Sequence, residues 1–409
     1  MFNKVCSLFL TALLLTGSAY GNYTAKQIQE IRTRAPGLTS KGVNRRLLRA
    51  QEMVVRDDRK GAIQILEGMT AKSYRPFEMG KIWQSLAYAY AQTDQFDKAR
   101  NAFKKSIETN ALPYKAHLQS LFGLAQLRLM AEKYKLAEDS LGKWFQLTKE
   151  ERADAYVFKA TIAYQKGDKK SALTAILKAL QIEKKPKEQW LTFAVSLLYE
   201  NNRYKEASEL LYKLVEMNHG KKMYWTQLAG TLLNSDKDME ALAVMDLALM
   251  MELLDKEGEI RNIVSLYLSN GLPYEGSQLL EKGIKKGFVK ETKKNLELFG
   301  NSLIQAKEYD KAFAPLKKAA KLSDDGKMYA LIARLYLEKE NFKTAVQNFD
   351  LALSKGIKKE NRGQVYVEKA IALTSLKRVK EAIESLDQAE KYKESKELAA
   401  KWRGYVNNL

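Results

Sequence analysis

The chain has almost no cysteine and almost no histidine. Its 409 residues include one cysteine, Cys6, and two histidines, His117 and His219. A disulfide needs two cysteines, and a structural zinc site takes four ligands, most often Cys and His. The two histidines lie far apart in the chain, so they cannot complete one metal site. We therefore expect no disulfide, metal or cofactor, and we expect each histidine at the surface or between repeats.

Sequence motifs of common enzymes are also missing. There is no Gly-rich phosphate loop, no H-E-x-x-H and no G-x-S-x-G. The acidic pairs Asp57-Asp58 and Asp324-Asp325 lie in predicted turns, where helix capping explains them. The sequence therefore predicts a protein that is not an enzyme and has no small-molecule substrate.

Long apolar runs are confined to the amino terminus. Lys4 is followed by an apolar run from Val5 to Leu15, and then by small residues up to Gly21. This run is about half of the ~20 residues that span a bilayer. The pattern is typical of a secretory signal peptide over residues 1–21, cleaved after about Gly21, with an uncleaved anchor as the alternative. We expect an exported, periplasmic protein whose only cysteine is removed with the leader.

A two-helix unit is present in many copies. Between Met328 and Leu353, apolar residues recur every three or four positions on both sides of the polar break Glu338–Asn341. Ala333 and Ala345 are the small residues at which the two helix axes can approach. One such hairpin leaves apolar surface exposed until further hairpins stack on it.

The small residue of the second helix, which we call the marker, recurs at intervals of 33 to 38 residues. The markers are Ala62, Ala99, Ala137, Ala172, Ala207, Ala241, Gly276, Ala312, Ala345 and Ala382. Twelve residues before them lie Ala50, Ala87, Ala125, Ala160, Val195, Ala229, Val264, Gly300, Ala333 and Ala370. No Pro-, Gly- or Ser-rich linker interrupts this register. An unrelated helical bundle is the alternative, but ten phased occurrences favour a repeat.

The best copy contains Trp83, Leu86, Ala87, Tyr90, Ala99 and Phe103. This order of aromatic and small residues resembles the tetratricopeptide repeat. The resemblance implies an all-α fold, a right-handed α-solenoid of about ten helix hairpins that binds other proteins on its concave wall. We expect one continuous solenoid over residues 41–393.

The segments on either side of the repeats are expected to form separate elements. Residues 22–40 are predicted to be an N-terminal arm or a short capping helix. Residues 394–409 are predicted to form a C-terminal capping helix that buries Leu398, Trp402 and Tyr405.

The residues expected on the concave wall carry amides, hydroxyls and aromatic rings, with little charge. They are Gln84, Tyr88, Gln92, Gln119, Phe122, Gln126, Val157, Thr161, Tyr164, Gln165, Thr192, Ser196 and Tyr199. Such a surface suits an extended peptide or a partner helix. The alternative is that these are ordinary half-exposed helix residues. Relatives that clamp a terminal carboxylate use paired Lys and Asn, which are missing here, so an acidic C-terminal tail is not expected.

The net charge of +20 comes from 69 basic and 49 acidic residues. The basic pairs are dispersed over predicted loops and outer helix faces, which is typical of a solvated shell. The sequence has no strip of basic and aromatic residues of the kind that binds single-stranded nucleic acid, so we expect no nucleic-acid partner. An anionic membrane, lipopolysaccharide, cell wall or an acidic partner is the alternative function for this charge.

Several longer strings carry a more specific resemblance. They are LPYKAHLQSLFGLAQL at Leu112, KEQWLTFAVSLLYE at Lys187, MYWTQLAG at Met223, SNGLPYEGSQLLEKGI at Ser269 and NLELFGNSL at Asn295. These strings are similar to exported tetratricopeptide proteins found beside TonB, ExbB and ExbD in Gram-negative bacteria. The resemblance implies a periplasmic scaffold that serves energy-coupled outer-membrane transport.

Overall fold

The computed structural model describes residues 22–408, which form 22 α-helices and no β-strand. The predicted signal peptide and Cys6 lie outside these residues. The chain divides into two compact units, residues 1–203 and residues 204–409. No helix among the described residues is long and apolar enough to cross a membrane.

Unit 1 contains ten helices. They are α1 (Ala25–Thr33), α2 (Lys41–Val55), α3 (Arg59–Thr70), α4 (Pro76–Ala91), α5 (Phe96–Glu108), α6 (Tyr114–Met130), α7 (Tyr134–Leu147), α8 (Ala153–Gln165), α9 (Lys169–Ile182) and α10 (Glu188–Glu200). The even-numbered helices of this unit are the first helices of hairpins, and α3, α5, α7 and α9 are second helices.

Unit 2 contains twelve helices. They are α11 (Tyr204–Met217), α12 (Lys222–Leu233), α13 (Asp238–Met250), α14 (Glu257–Ser269), α15 (Pro273–Lys285), α16 (Lys293–Gln305), α17 (Tyr309–Lys321), α18 (Lys327–Glu338), α19 (Phe342–Lys355), α20 (Lys359–Ser375), α21 (Val379–Ala389) and α22 (Lys396–Val406). From α2 onward, every helix within each unit packs on its neighbours in chain order, which is the architecture of an α-solenoid.

The same turn closes each of ten helices. Five residues before every marker stands a residue with a left-handed backbone, which is glycine only at Gly167 and Gly271. The other eight residues have φ between 55° and 66°. The next N–H donates to the carbonyl five residues back at 2.8–3.0 Å, as Asp58 does to Met53. This bond satisfies a carbonyl that the helix end leaves free.

The predicted small residues lie in the core. All nine marker alanines have no exposed surface, and Gly276 is also buried. Their partners twelve residues earlier are buried too. A hydrogen bond from a tyrosine hydroxyl joins adjacent hairpins at equivalent positions of the repeat. The Tyr90 hydroxyl donates to Glu67 at 2.5 Å, and the Tyr267 hydroxyl donates to Asp246 at 2.7 Å. The hairpin prediction is confirmed.

Residues 22–40 form neither a free arm nor a cap on the first hairpin. We call them the N-terminal strap, because α1 packs against α6 and α7. Ile31 is buried among Leu121, Leu141 and Trp144. The Arg32 guanidinium donates to the carbonyls of Gln146, Leu147 and Thr148 at 3.0–3.3 Å.

A second contact of the strap buries a histidine. The Tyr23 hydroxyl lies 2.7 Å from Nε2 of His117, which is only 1% exposed. Nδ1 of His117 has no hydrogen-bond partner among the described residues. His117 is thus covered by the strap, whereas His219 is exposed.

Further along the strap, a salt-bridged carboxylate fixes the start of α2. Glu78 is buried, accepts from the Ser40 N–H at 2.6 Å and pairs with Arg75. The hydrogen bonds from Arg75 and Ser40 lower the pKa of Glu78 to about 2. The carboxylate therefore stays charged and holds the end of the strap to the start of α4.

The C-terminal capping helix forms, but the prediction of its buried face is wrong. In α22 the buried residues are Ala399 and Val406, and Trp402 packs beside them. Leu398 and Tyr405 are exposed. Both faces have helical spacing, and the small Ala399 lets α22 approach α20 and α21 more closely than Leu398 would.

Enlarging a marker should destabilise the protein. Ala241 has no exposed surface, whereas Ala243, two residues along the same helix, is exposed. We expect Ala241→Leu to lower the free energy of unfolding by about 1–3 kcal/mol, because the close helix contact cannot take a larger side chain. Ala243→Leu is the matched control and should change it by less than ~0.5 kcal/mol. Chemical unfolding measures both, and equal effects would contradict the packing account.

Acid should release the strap. Burial, helped by the Arg34 guanidinium, lowers the pKa of His117 from 6.5 to about 4. The released imidazole regains an ordinary pKa, so between these values the released state binds more protons. The stabilisation is complete above pH 6.5 and is lost as the pH falls through about 4; at pH 5 the loss is about 2 kcal/mol.

Hydrogen exchange of the α1 amides measures this release in the wild type and in His117→Gln, which does not titrate. Tyr23 and Arg34 on the strap and Asp139 on α7 are the other charged or titratable groups near this contact, and the variant keeps all three. The wild type should lose more protection than the variant between about pH 7.5 and pH 5. Parallel losses would rule out His117 as the titrating group.

Candidate peptide-binding groove

Two adjoining cavities lie along the first helices of unit 1. The aromatic cavity, of about 480 Å³, is lined by α6, the end of α7 and the loop before α8. The aliphatic cavity, of about 510 Å³, lies between α2 and α4. Tyr88 on α4 lines both cavities, so we treat them together as one groove.

Packed aromatic rings form the floor of the aromatic cavity. Phe122 lies 5.7 Å from Trp144 and 5.1 Å from Phe158, between ring centroids. Tyr88 meets Phe103 edge-on at 5.1 Å, and 42% of Tyr88 is exposed. Gly123 permits this packing, because a Cβ there would lie 2.9 Å from the Phe103 ring. The floor is closely packed and apolar, and it is open to solvent at Tyr88.

The aliphatic cavity pairs an apolar floor with amides. Leu47, Leu48, Val54 and Val55 contribute apolar surface, and Val55 is 82% exposed. Asn44, Gln51 and Gln92 add exposed amide groups. Amides beside apolar surface can bind a peptide backbone while its side chains are buried.

Cationic side chains stand around the groove. We call Lys81, Lys115, Lys149 and Arg152 the cationic rim, and Glu150 is the one acidic residue in the lining. Arg152 pairs with Asp154 at 2.5 Å. Lys81 and Lys149 lie over the rings of Phe77 and Tyr114, at 5.8 and 5.9 Å. The first-helix residues read from the sequence omit the rim: Lys149 and Arg152 come from a loop, while Lys81 and Lys115 lie on α4 and α6 outside the predicted wall positions.

Six of the thirteen predicted wall residues line the groove. They are Gln84, Tyr88, Gln92, Gln119, Phe122 and Gln126. Gln84 differs from the others because it is buried, and its amide donates to the Ala116 carbonyl at 2.8 Å and to the Ser120 hydroxyl at 3.0 Å. Its polar group therefore ties α4 to α6.

The other seven wall residues, on α8 and α10, line neither cavity. They are Val157, Thr161, Tyr164, Gln165, Thr192, Ser196 and Tyr199. The hydroxyls of Thr161, Thr192 and Ser196 donate to carbonyls of their own helices at 2.9–3.0 Å. Tyr164 meets Phe193 edge-on at 5.5 Å.

Unit 2 has a larger cavity of a different kind. It measures about 710 Å³ and lies along α16, α18 and α20. Three of its four cations are engaged by nearby acids: Lys293 pairs with Asp325 and Lys327 with Glu297, while Arg334 pairs with Glu368. The described residues contain no group of three His, Cys, Asp or Glu that could hold a metal ion. The groove of unit 1 is therefore the stronger candidate site.

Comparison with known proteins agrees with the repeat architecture. A family model described as "Tetratricopeptide repeat" matches residues 80–111 and 153–186. These matches cover most of the hairpin α4–α5 and all of the hairpin α8–α9. No curated protein sequence matches the chain.

Several solved structures share a looser likeness. A tetratricopeptide repeat protein from Parabacteroides merdae is 13% identical, with a TM-score of 0.40, over 64% of this chain and 100% of that one. The C-terminal part of a repeat-containing protein from Cytophaga hutchinsonii is 14% identical, with a TM-score of 0.41, over 68% and 95%. YrrB, "a TPR protein with an unusual peptide-binding site", is 17% identical, with a TM-score of 0.35, over 42% and 91%.

Superpositions this loose carry no information about the function of the chain. The family model is the stronger finding, because it matches two segments in the sequence itself. Residues 80–111 and 153–186 of this chain are similar to tetratricopeptide repeats.

Proposed function

We propose that this protein is a scaffold that binds an extended segment of a partner protein in the groove of unit 1. The observation that carries the proposal is Tyr88, a half-exposed ring shared by two adjoining apolar cavities. Repeats of this kind mediate protein–protein interaction, and the groove is the place where this chain offers both apolar floor and exposed amides.

Binding would combine apolar burial with backbone hydrogen bonds. A partner side chain that fills one cavity gains roughly 1.5–3 kcal/mol from burial. The exposed amides of Gln92, Gln119 and Gln126 can donate to and accept from a peptide backbone. Because the floor is already packed, little ordering of the groove is needed on binding.

The location and the partner are proposals that rest on the sequence. The signal-like residues 1–21 support export to the periplasm. The strings similar to exported repeat proteins support a role beside TonB, ExbB and ExbD. We propose that a protein of such a complex is the partner.

The alternative role, attraction to anionic lipid or lipopolysaccharide, rests on the net charge of +20. Some surface lysines are held in ion pairs with acidic residues, as Lys166 is with Glu138 and Lys318 is with Glu291. The remaining basic residues are dispersed over the chain and do not form one cluster in the sequence, which favours the groove over the charged shell as the main binding surface.

Replacing Tyr88 should abolish partner binding. We expect Tyr88→Ala to lower recovery of TonB-complex subunits from envelopes by about tenfold or more, because the ring walls both cavities. Quantitative mass spectrometry after co-purification measures this, with circular dichroism to confirm folding.

Tyr274→Ala is the matched control, since Tyr274 is 45% exposed on α15 in unit 2. Its recovery should equal that of the wild type. If Tyr88→Ala also recovers the subunits normally, the groove is not their binding site. If the wild type recovers none, the proposed partner is wrong.

A further inference from the structure

We infer that the groove selects a peptide segment with two apolar side chains separated by acidic residues. This inference rests on the proposed function and names the chemistry of the ligand. It follows from three features: two apolar cavities, the single ring between them and the sign of the charge around them.

The charge around the groove is cationic. Its lining holds four basic side chains and one acidic side chain. Arg152 is already paired with Asp154. Lys81, Lys115 and Lys149 make no ion pair with any residue that the structure describes. A carboxylate of the ligand can therefore pair with these lysines without displacing an acidic partner.

The spacing of the apolar side chains follows from the helix packing. The aliphatic cavity lies against α4, and the aromatic cavity lies on α6, the next first helix. The Gln84 amide bridges α4 to Ala116 and Ser120 on α6, so the two helices lie side by side, at a separation of roughly 10 Å. A peptide in the polyproline II conformation advances about 9 Å in three residues and returns to the same face. Apolar side chains three residues apart can therefore fill both cavities.

The two residues between them pass Tyr88. Lys115 is exposed at the start of α6, and Lys149 is exposed in the loop after α7. Acidic side chains at these intermediate positions would face the rim instead of the apolar floor. Repulsion by the cationic rim would disfavour a segment that has basic residues at these intermediate positions.

Synthetic peptides test this preference directly. The probe is an amidated and acetylated peptide of about twelve residues with Phe-Glu-Glu-Phe at its centre, and the comparison peptides replace Glu-Glu by Lys-Lys or both Phe by Ala. We expect the first peptide to bind the purified full chain at least about tenfold more tightly than either comparison. Its affinity should fall between ~0.05 M and ~0.3 M salt.

Variants of the rim assign the effect to these residues. Lys115→Gln with Lys149→Gln should weaken binding of the Phe-Glu-Glu-Phe peptide by about fivefold or more, and should leave binding unchanged for a further peptide in which Gln-Gln replaces Glu-Glu. Lys135→Gln with Lys170→Gln, exposed lysines on the second helices α7 and α9, is the matched control.

Each outcome decides one claim. Equal affinity of the wild type for the Glu-Glu and Lys-Lys peptides overturns the acidic preference. In that case, if Tyr88→Ala binds neither peptide, the groove is still supported as the binding site. Binding that survives Tyr88→Ala overturns the groove as the site. Because the peptides carry no free carboxyl terminus, a preference for Glu-Glu reports side-chain carboxylates alone.

The N-terminal strap supports a second inference about the same groove. Arg32 of the strap and the Tyr114 hydroxyl both donate to the Leu147 carbonyl, at 3.0 and 3.1 Å. The Lys149 N–H donates to the same hydroxyl at 3.2 Å. Tyr114, Thr148 and Lys149 all line the aromatic cavity.

We propose that the docked strap holds the wall of the aromatic cavity in its binding conformation. The guanidinium of Arg32 occupies the carbonyl end of α7, where a cation is favoured and where free carbonyls need donors. Losing it removes the donors to the carbonyls of residues 146–148, and the loop then keeps the Tyr114 bonds and the ion pairs of Glu151 with Lys178 and of Arg152 with Asp154. This regulation rests on the proposed function of the groove.

Arg32→Gln tests the coupling. We expect it to lower the affinity for the Phe-Glu-Glu-Phe peptide by about fivefold and to speed hydrogen exchange at the amides of residues 149–152. Tyr23→Phe, which deletes only the hydroxyl oxygen that contacts His117, should have the same two effects. Lys26→Gln is the matched control, because Lys26 is exposed on α1.

The two readouts separate the possible failures. Faster exchange in Arg32→Gln with unchanged peptide affinity overturns the coupling and leaves the groove intact. Unchanged exchange in both strap variants shows that the strap does not hold the wall. Absence of peptide binding by the wild type counts against the groove itself, whatever the exchange shows.

Discussion

Close contact between two helix backbones at a small residue is the constraint on which the rest of this structure depends. Each marker alanine is without exposed surface, and a buried residue of the first helix, alanine or glycine in every case except Val195, is its partner. This contact sets the distance between the helices of a hairpin. The hairpin distance in turn decides how tyrosines such as Tyr90 and Tyr267 reach carboxylates on the preceding second helix. Stacking, cavities and groove follow from that spacing.

The sequence predicts the hairpins because their signal is local and repeated. Ala333 and Ala345 lie twelve residues apart, and the same pair recurs through the chain. The closing turns have no such signal, since the left-handed position is held by residues as different as Asp57, Lys307 and Glu340. Helix ends can impose that conformation on non-glycine residues, although it is unfavourable for them. Residue type alone therefore could not identify these turns.

The parts of the site that sequence reasoning missed depend on distant contacts. Tyr23 meets His117 across 94 residues, and no periodic pattern links the two. Lys149 and Arg152 join the groove from a loop, whereas the predicted wall residues come only from first helices. Gln84 has the expected position on α4, but its amide bonds the neighbouring first helix. Periodicity gives the face of a helix, and tertiary packing decides what that face contacts.

The strap has a consequence for how the chain assembles during synthesis. Hairpins close from neighbouring residues, so each can form as soon as its two helices have been made. Arg32 must wait for Leu147, which follows it by 115 residues. Closing so long a loop costs entropy that only the finished third hairpin can repay. The earliest residues of the described chain thus become ordered only after the three hairpins that follow them have been made, and until then they remain accessible to the machinery that handles a nascent polypeptide.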